Sequence, residues 1–90
     1  MPDFDPEDKK RILNRLRRAR GQLNAVIGAA ESGAPCRDVI IQLAALSAAL
    51  DRAGYAVIAG AMKNCIRDED SREDGDLTPE ELEKLFLMLA

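Results

Sequence analysis

The chain contains no histidine and no tryptophan. Without imidazole it lacks the usual general base of neutral-pH catalysis, and it cannot complete a mixed sulfur–nitrogen zinc site. Only Phe4, Tyr55 and Phe86 are aromatic, too few to stack bases as an aromatic-laced RNA reader does. No helix-turn-helix or zinc-finger pattern is present either. Cysteine is scarce: Cys36 and Cys65 stand alone, 29 residues apart. No close C-x-x-C pair exists, and with no base in sight the chain does not read as a thiol enzyme. No strand alternation, internal repeat or low-complexity stretch is visible. The apolar run from Val39 to Ile66 is interrupted by Gln42, Asp51, Arg52, Lys63 and Asn64, with two charges near its middle, which argues against a membrane span. The N-terminus is acidic and polar and carries no apolar signal segment. A cytoplasmic protein is expected, where a thiol pair is more often regulatory or metal-binding than structural.

What is present is helical. Hydrophobic residues make up 47% of the 90 residues, mostly alanine and leucine, which suit helices. One domain spanning 1–90 is expected, small enough that its core is marginal alone and is completed by oligomerising. Met1 to Phe4 reads as a loose tail. Asp5 is placed to cap a first helix, with Pro6 at its first position and acids in its first turn. Ile12, Leu16, Leu23 and Ile27 form its apolar stripe, and the helix should stop near Glu31-Ser32-Gly33. Pro35 opens a second helix that carries Val39, Ile40, Leu43, Leu46, Leu50, Val57, Ile58 and Met62 to about Ile66. Gly54 and Gly60 within it are read as points of close packing. Arg67 to Asp76 is an acidic connector. Thr78-Pro79-Glu80-Glu81 then opens a short third helix with a capping box, its apolar face Leu82, Leu85, Phe86 and Leu89. The fold class is all-α. Helices 1 and 2 form a hairpin, and two hairpins form an antiparallel four-helix bundle.

The two thiols lie near opposite ends of helix 2. At about 100° and about 1.5 Å per residue, the 29-residue step returns to within roughly 20° of the starting direction after about 43 Å. A disulfide needs Cα atoms within about 7 Å. A continuous helix therefore prevents the pair from meeting within one chain, but Cys36 can meet Cys65 across an antiparallel dimer. Cys36 falls at the positive end of the helix dipole, which supports a nucleophilic sulfur. Lys63 and Arg67 flank Cys65. The pair suits an attacking and a resolving thiol. Two thiolates also suit a soft ion such as Cu(I), the one metal expected at Cys36 and Cys65, if any.

Charge is segregated on a chain of net charge −3. Lys9, Lys10, Arg11, Arg15, Arg17, Arg18 and Arg20 crowd the first helix, whereas Asp68, Glu69, Asp70, Glu73, Asp74 and Asp76 crowd the connector. The basic segment, repeated in an oligomer, makes a phosphate-neutralising surface.

The run Asp8-Lys9-Lys10-Arg11-Ile12-Leu13-Asn14-Arg15-Leu16-Arg17-Arg18-Ala19-Arg20-Gly21-Gln22-Leu23 resembles the opening of the CsoR/RcnR/FrmR family of bacterial repressors. The resemblance continues through Cys36-Arg37-Asp38-Val39, Gln42-Leu43-Ala44-Ala45 and Cys65-Ile66, and so covers essentially the whole chain. It implies an all-α dimer of hairpins, paired into a tetramer, that binds operator DNA and releases it when its cysteine site is modified or metallated. Copper sensors of the family carry a histidine where this chain has Ala61, and nickel or cobalt sensors also need histidines. Two cysteines without that histidine are similar to the persulfide-sensing CstR branch, in which reactive sulfur links the cysteines across the dimer through two to four sulfur atoms. The resemblance thus implies no enzyme and no cofactor, with Cys36 and Cys65 as sensor thiols. Together with the charge pattern it points to Lys10, Arg15, Arg18 and Arg52 as DNA contacts, although Arg52 also has Asp51 beside it as an ion-pair partner. Formaldehyde sensors of the family use an N-terminal proline with the first cysteine, and Pro2 and Cys36 keep that alternative open. Glu81 matches a copper-sensor position whose partner histidine is missing here, and it is read as the capping-box residue.

Overall fold

The computed structural model describes residues 4–65 and 77–90, without the side chains of residues 64 and 65. Three helices follow in order: α1 (Pro6–Glu31), α2 (Cys36–Cys65) and α3 (Pro79–Leu89). Asp5 caps α1 from extended backbone, its carboxylate accepting the Asp8 N–H at 2.8 Å, and Pro6 fills the first turn. The far end closes with a Schellman turn. The Ala34 N–H donates to the Ala29 carbonyl at 3.0 Å, and the Gly33 N–H donates to that of Ala30 at 3.3 Å. Gly33 sits at φ 72°, a left-handed conformation that glycine adopts without a Cβ penalty.

Residues 32–35 return the chain at once, so α2 packs antiparallel along α1. Pro35 lies one residue outside α2 and accepts the Asp38 and Val39 N–H groups, leaving Cys36 as the first helical residue. The line of contact is built from Ile12 and Ala19 on α1 and Ala49, Ala53 and Ala61 on α2. Small side chains let the helices approach closely. Gly60 shows the limit of that approach: a Cβ there would lie 2.5 Å from Cδ1 of Phe4. Phe4 is therefore packed on α2 and is not part of a loose tail. Residues 1–3 and the connector 67–76 lie outside the described residues.

The expected apolar stripe of α1 is only partly a core. Ile12 is 1% exposed, but Leu16, Leu23 and Ile27 are 43%, 44% and 45% exposed. Two helices share a single line of contact, so among the described residues the outer half of the α1 stripe stays open. Ile40, Leu43 and Leu50 on α2 are likewise more than half exposed. By length and composition alone, α2 over Cys36–Lys63 could cross a membrane, but Asp51 and Arg52 sit at its middle.

Helix α3 starts at the Thr78 cap. Thr78 Oγ1 accepts the Glu81 N–H at 3.2 Å and donates to the Glu81 carboxylate at 3.3 Å. The capping pair thus closes through the hydroxyl. Leu89 rests on α2 at Gly54, where an added Cβ would meet its Cδ2 at 3.4 Å, so both helix-2 glycines mark close packing. Phe86 and Leu89 share an apolar groove with Leu50, Tyr55 and Ile58.

The Asp8 N–H bond to Asp5 holds the Asp5 carboxyl below its ordinary value of 3.8. A depressed folded-state pKa adds stability that is present above the unfolded value and is lost as pH falls through the folded one. Urea unfolding from pH 6 downward should therefore lose this contribution only below 3.8. Asp5→Asn, which keeps the cap without the charge, should flatten that part of the profile.

Candidate functional site

Helix α2 is unbroken over its 30 residues. Cys36 opens it and is exposed, and Cys65 closes it. The regular rise keeps their backbones about 43 Å apart, far beyond disulfide reach. The Cys65 side chain lies outside the described residues, as does Pro2. Ala61 shares the register of both cysteines, one turn before Cys65, and is 3% exposed. Among the described residues, no three acidic or thiol side chains gather as a metal site.

A second cluster lies midway along the hairpin. Asn14, Arg15 and Arg18 from α1 and Ala49 and Arg52 from α2 line one open depression. In α1, Arg15 and Arg18 recur at helical spacing beside the core line of Ile12 and Ala19, so both lean toward α2. Arg52 stands next to the buried Ala53 and reaches the same groove. Among the described residues no carboxylate pairs with Arg52, so the Asp51 ion pair does not form. Three guanidinium groups around one depression, with no counter-charge among the described residues, favour an anionic occupant. Lys10 is exposed on α1 nearer its start and does not line this depression.

Sequence reasoning missed one feature. Asp8 is 4% exposed, the one buried charged residue among those described. Its carboxylate accepts from Lys63 Nζ at 3.2 Å and 3.5 Å and lies 3.5 Å from the Arg11 guanidinium. Read as a first-turn acid, Asp8 gave no hint of a partner 55 residues away. Its register was the available signal: Asp8 sits four residues before Ile12, so it falls on the core stripe, where a carboxylate demands a cation.

A helical hairpin with a groove of three arginines and a cysteine at each end of one helix suits the class of proteins that bind polyanions. Comparison with known proteins makes this specific. The family model described as "Metal-sensitive transcriptional repressor" matches residues 8–89, and the chain belongs to that family, the CsoR/RcnR/FrmR repressors. It is 44% identical over 59 residues to the "Copper-sensing transcriptional repressor CsoR" of Mycobacterium ulcerans, an alignment covering 64% of this chain and 50% of that protein. The match therefore spans half the length of that relative. A protein of the same description from Bacillus subtilis is 28% identical over 80 residues, covering 89% of this chain and 79% of the relative. A solved variant of the Formaldehyde-Responsive Regulator FrmR from Salmonella enterica serovar Typhimurium superposes with a TM-score of 0.67 at 34% identity, covering 94% of this chain and 89% of that one. These relatives are regulators, not enzymes, and the all-α architecture is common to the solved one.

The arginine cluster should cost stability. Arg18→Gln should raise the unfolding free energy by about 0.5 kcal/mol at low ionic strength by relieving repulsion. Urea titrations should show the gain disappearing at high salt.

Proposed function

We propose that this protein is an operator-binding repressor of the cytoplasm that senses reactive sulfur through Cys36 and Cys65. The observation that carries this reading is the pairing of two thiols, set at opposite ends of an unbroken helix, with the complete lack of histidine. At the position where copper sensors resembling this chain carry a ligating histidine, the residue is the buried Ala61.

The functional unit is a dimer of hairpins, further paired into a tetramer. The uncovered Leu16, Leu23, Ile27, Ile40, Leu43 and Leu50 supply apolar surface for a second copy. Antiparallel pairing brings Cys36 beside Cys65 of the partner subunit, twice per dimer. The Cys36 thiolate attacks a sulfur of hydrogen disulfide and expels hydrosulfide, leaving a Cys36 persulfide. The thiolate of Cys65 of the partner subunit then attacks the Cys36 sulfur and expels a second hydrosulfide. Two thiols lose two electrons and become a disulfide, while hydrogen disulfide gains them and leaves as two molecules of hydrogen sulfide. Hydrogen trisulfide, by the same count, leaves one extra sulfur in the bridge.

DNA is held by phosphate contacts. Arg15, Arg18 and Arg52 share one groove, which suits a backbone phosphate, and the exposed Lys10 extends the basic face. Bridging both ends of α2 to the partner changes the relation between the hairpins and separates the paired basic faces from their phosphates. Copper sensing is the second reading. It is favoured by the descriptions of the relatives and by the affinity of paired thiolates for Cu(I).

Fluorescence anisotropy of reduced protein on DNA from upstream of its own operon tests the proposal. Tight binding should collapse after polysulfide treatment and return with reductant, and a non-reducing gel should show a covalent dimer that needs both Cys36 and Cys65. Binding indifferent to polysulfide but released by Cu(I) or formaldehyde would replace the inducer. Separately, Arg15→Ala should weaken operator binding about tenfold and lower the slope of log affinity against log salt by about one unit. An unchanged slope would remove Arg15 from the interface.

A further inference from the structure

We propose that the Asp8–Lys63 pair is a positioning element that carries chemistry at the Cys65 end of α2 to the basic face of α1. The inference rests on the repressor reading above, but not on which inducer acts.

Asp8 and Lys63 join the two ends of the hairpin that its turn leaves open. Asp8 lies in the first turn of α1 and Lys63 in the last turn of α2, two residues before Cys65. The geometry is two-pronged, with Lys63 Nζ at 3.2 Å and 3.5 Å from the two carboxylate oxygens. The Asp8 side chain is 5% exposed, whereas that of Lys63 is 56% exposed. Lys63 therefore reaches in from solvent and can swing back out, while the carboxylate has nowhere to go. A buried carboxylate is costly, and an apolar residue of similar size on this core register would hold the helices together at least as well. What the ion pair supplies is a contact with two states: closed and dehydrated, or open and hydrated. The same helix ends are fastened by Phe4 against Gly60 and by the Asp5 cap, whose bond is to Asp8 itself. The fastening thus sits on residues directly joined to the basic segment. Lys9, Lys10 and Arg11 follow Asp8 at once, and Arg15 and Arg18 lie two and three turns further along one rigid helix.

A bridge at Cys65 ties the last turn of α2 to another chain. The last turn then shifts, Lys63 leaves Asp8, and the start of α1 is no longer held. Because Arg15 and Arg18 are on α1 and Arg52 is on α2, any change in the angle between the helices alters the spacing of the three guanidinium groups. The pair therefore couples thiol chemistry to phosphate binding without touching either ligand.

The decisive variants are Lys63→Gln, Asp8→Asn combined with Lys63→Gln, and Lys63→Arg. The double substitution leaves no buried charge unpaired, so it remains informative if Lys63→Gln alone unfolds. Circular dichroism checks the fold, and mass spectrometry follows Cys36–Cys65 bridging by polysulfide or by diamide. The reduced double variant should bind operator about tenfold more weakly than reduced wild type and lose no more than about twofold on bridging, even though bridging goes to completion. Lys63→Arg should restore both the reduced affinity and the release. A folded double variant that binds and releases like wild type would overturn the proposal. Hydrogen exchange of the first two turns of α1, read without DNA, should rise in wild type when the cysteines are bridged. Unchanged exchange would overturn the coupling whatever the operator experiments show. Wild type that never binds operator, with exchange still rising on bridging, would instead sink the repressor reading and leave the mechanical link standing, whereas wild type that bridges yet keeps its DNA would overturn the coupling.

Discussion

An unbroken 30-residue helix is the constraint from which the rest of this protein follows. It keeps Cys36 and Cys65 about 43 Å apart on one register, so any bridge between them would require a second chain. It also gives the molecule a stiff member against which α1 can lie along its whole length. Only a full reversal of the chain within α2 would remove that requirement. Gly54 and Gly60 supply none: the helix runs through both, and each is used for the close approach of another side chain.

The hairpin is assembled economically. Alanine at positions 19, 49, 53 and 61 makes a narrow seam, and among the described residues Ile12 is the one large side chain fully inside it. Small residues allow close approach but bury little area, so the seam is reinforced at its ends. The Schellman turn at Gly33 closes one end. Asp8 with Lys63 and Phe4 on Gly60 close the other. Outside the seam, Leu16, Leu23 and Ile27 on α1 and Ile40, Leu43 and Leu50 on α2 stay exposed. The end of the hairpin that holds Cys65 is also the end where the two helices are fastened by a charge pair, with Lys63 two residues before Cys65.

The basic groove shows how electrostatics works on a chain of net charge −3. Asp5 and Asp8 are occupied by capping and by the buried pair. Arg15, Arg18 and Arg52 are left converging without a described carboxylate among them. Overall charge therefore says little about which anion is attracted, and the local arrangement says much more.

Much of this was legible in the one-dimensional sequence. Helix starts at Asp5-Pro6 and Thr78-Pro79, the stop at Gly33 and the length of α2 depend on neighbours within a few residues, and short-range chemistry of that kind is written locally. The absence of histidine removed any imidazole ligand, and the 29-residue thiol spacing removed a bridge within one continuous helix. Arg15 and Arg18 were visible as one cluster, but that Arg52 joins them across the hairpin depended on which face of α2 meets α1. Local pattern could not say that Leu16, Leu23 and Ile27 stay half uncovered, because periodicity marks an apolar face and not how many neighbours it has. Nor could it find Asp8 with Lys63, since a pair 55 residues apart exists only once two helices have chosen their register. Tertiary packing alone decided that contact: it removes a carboxylate from water and so obliges a cation to follow it.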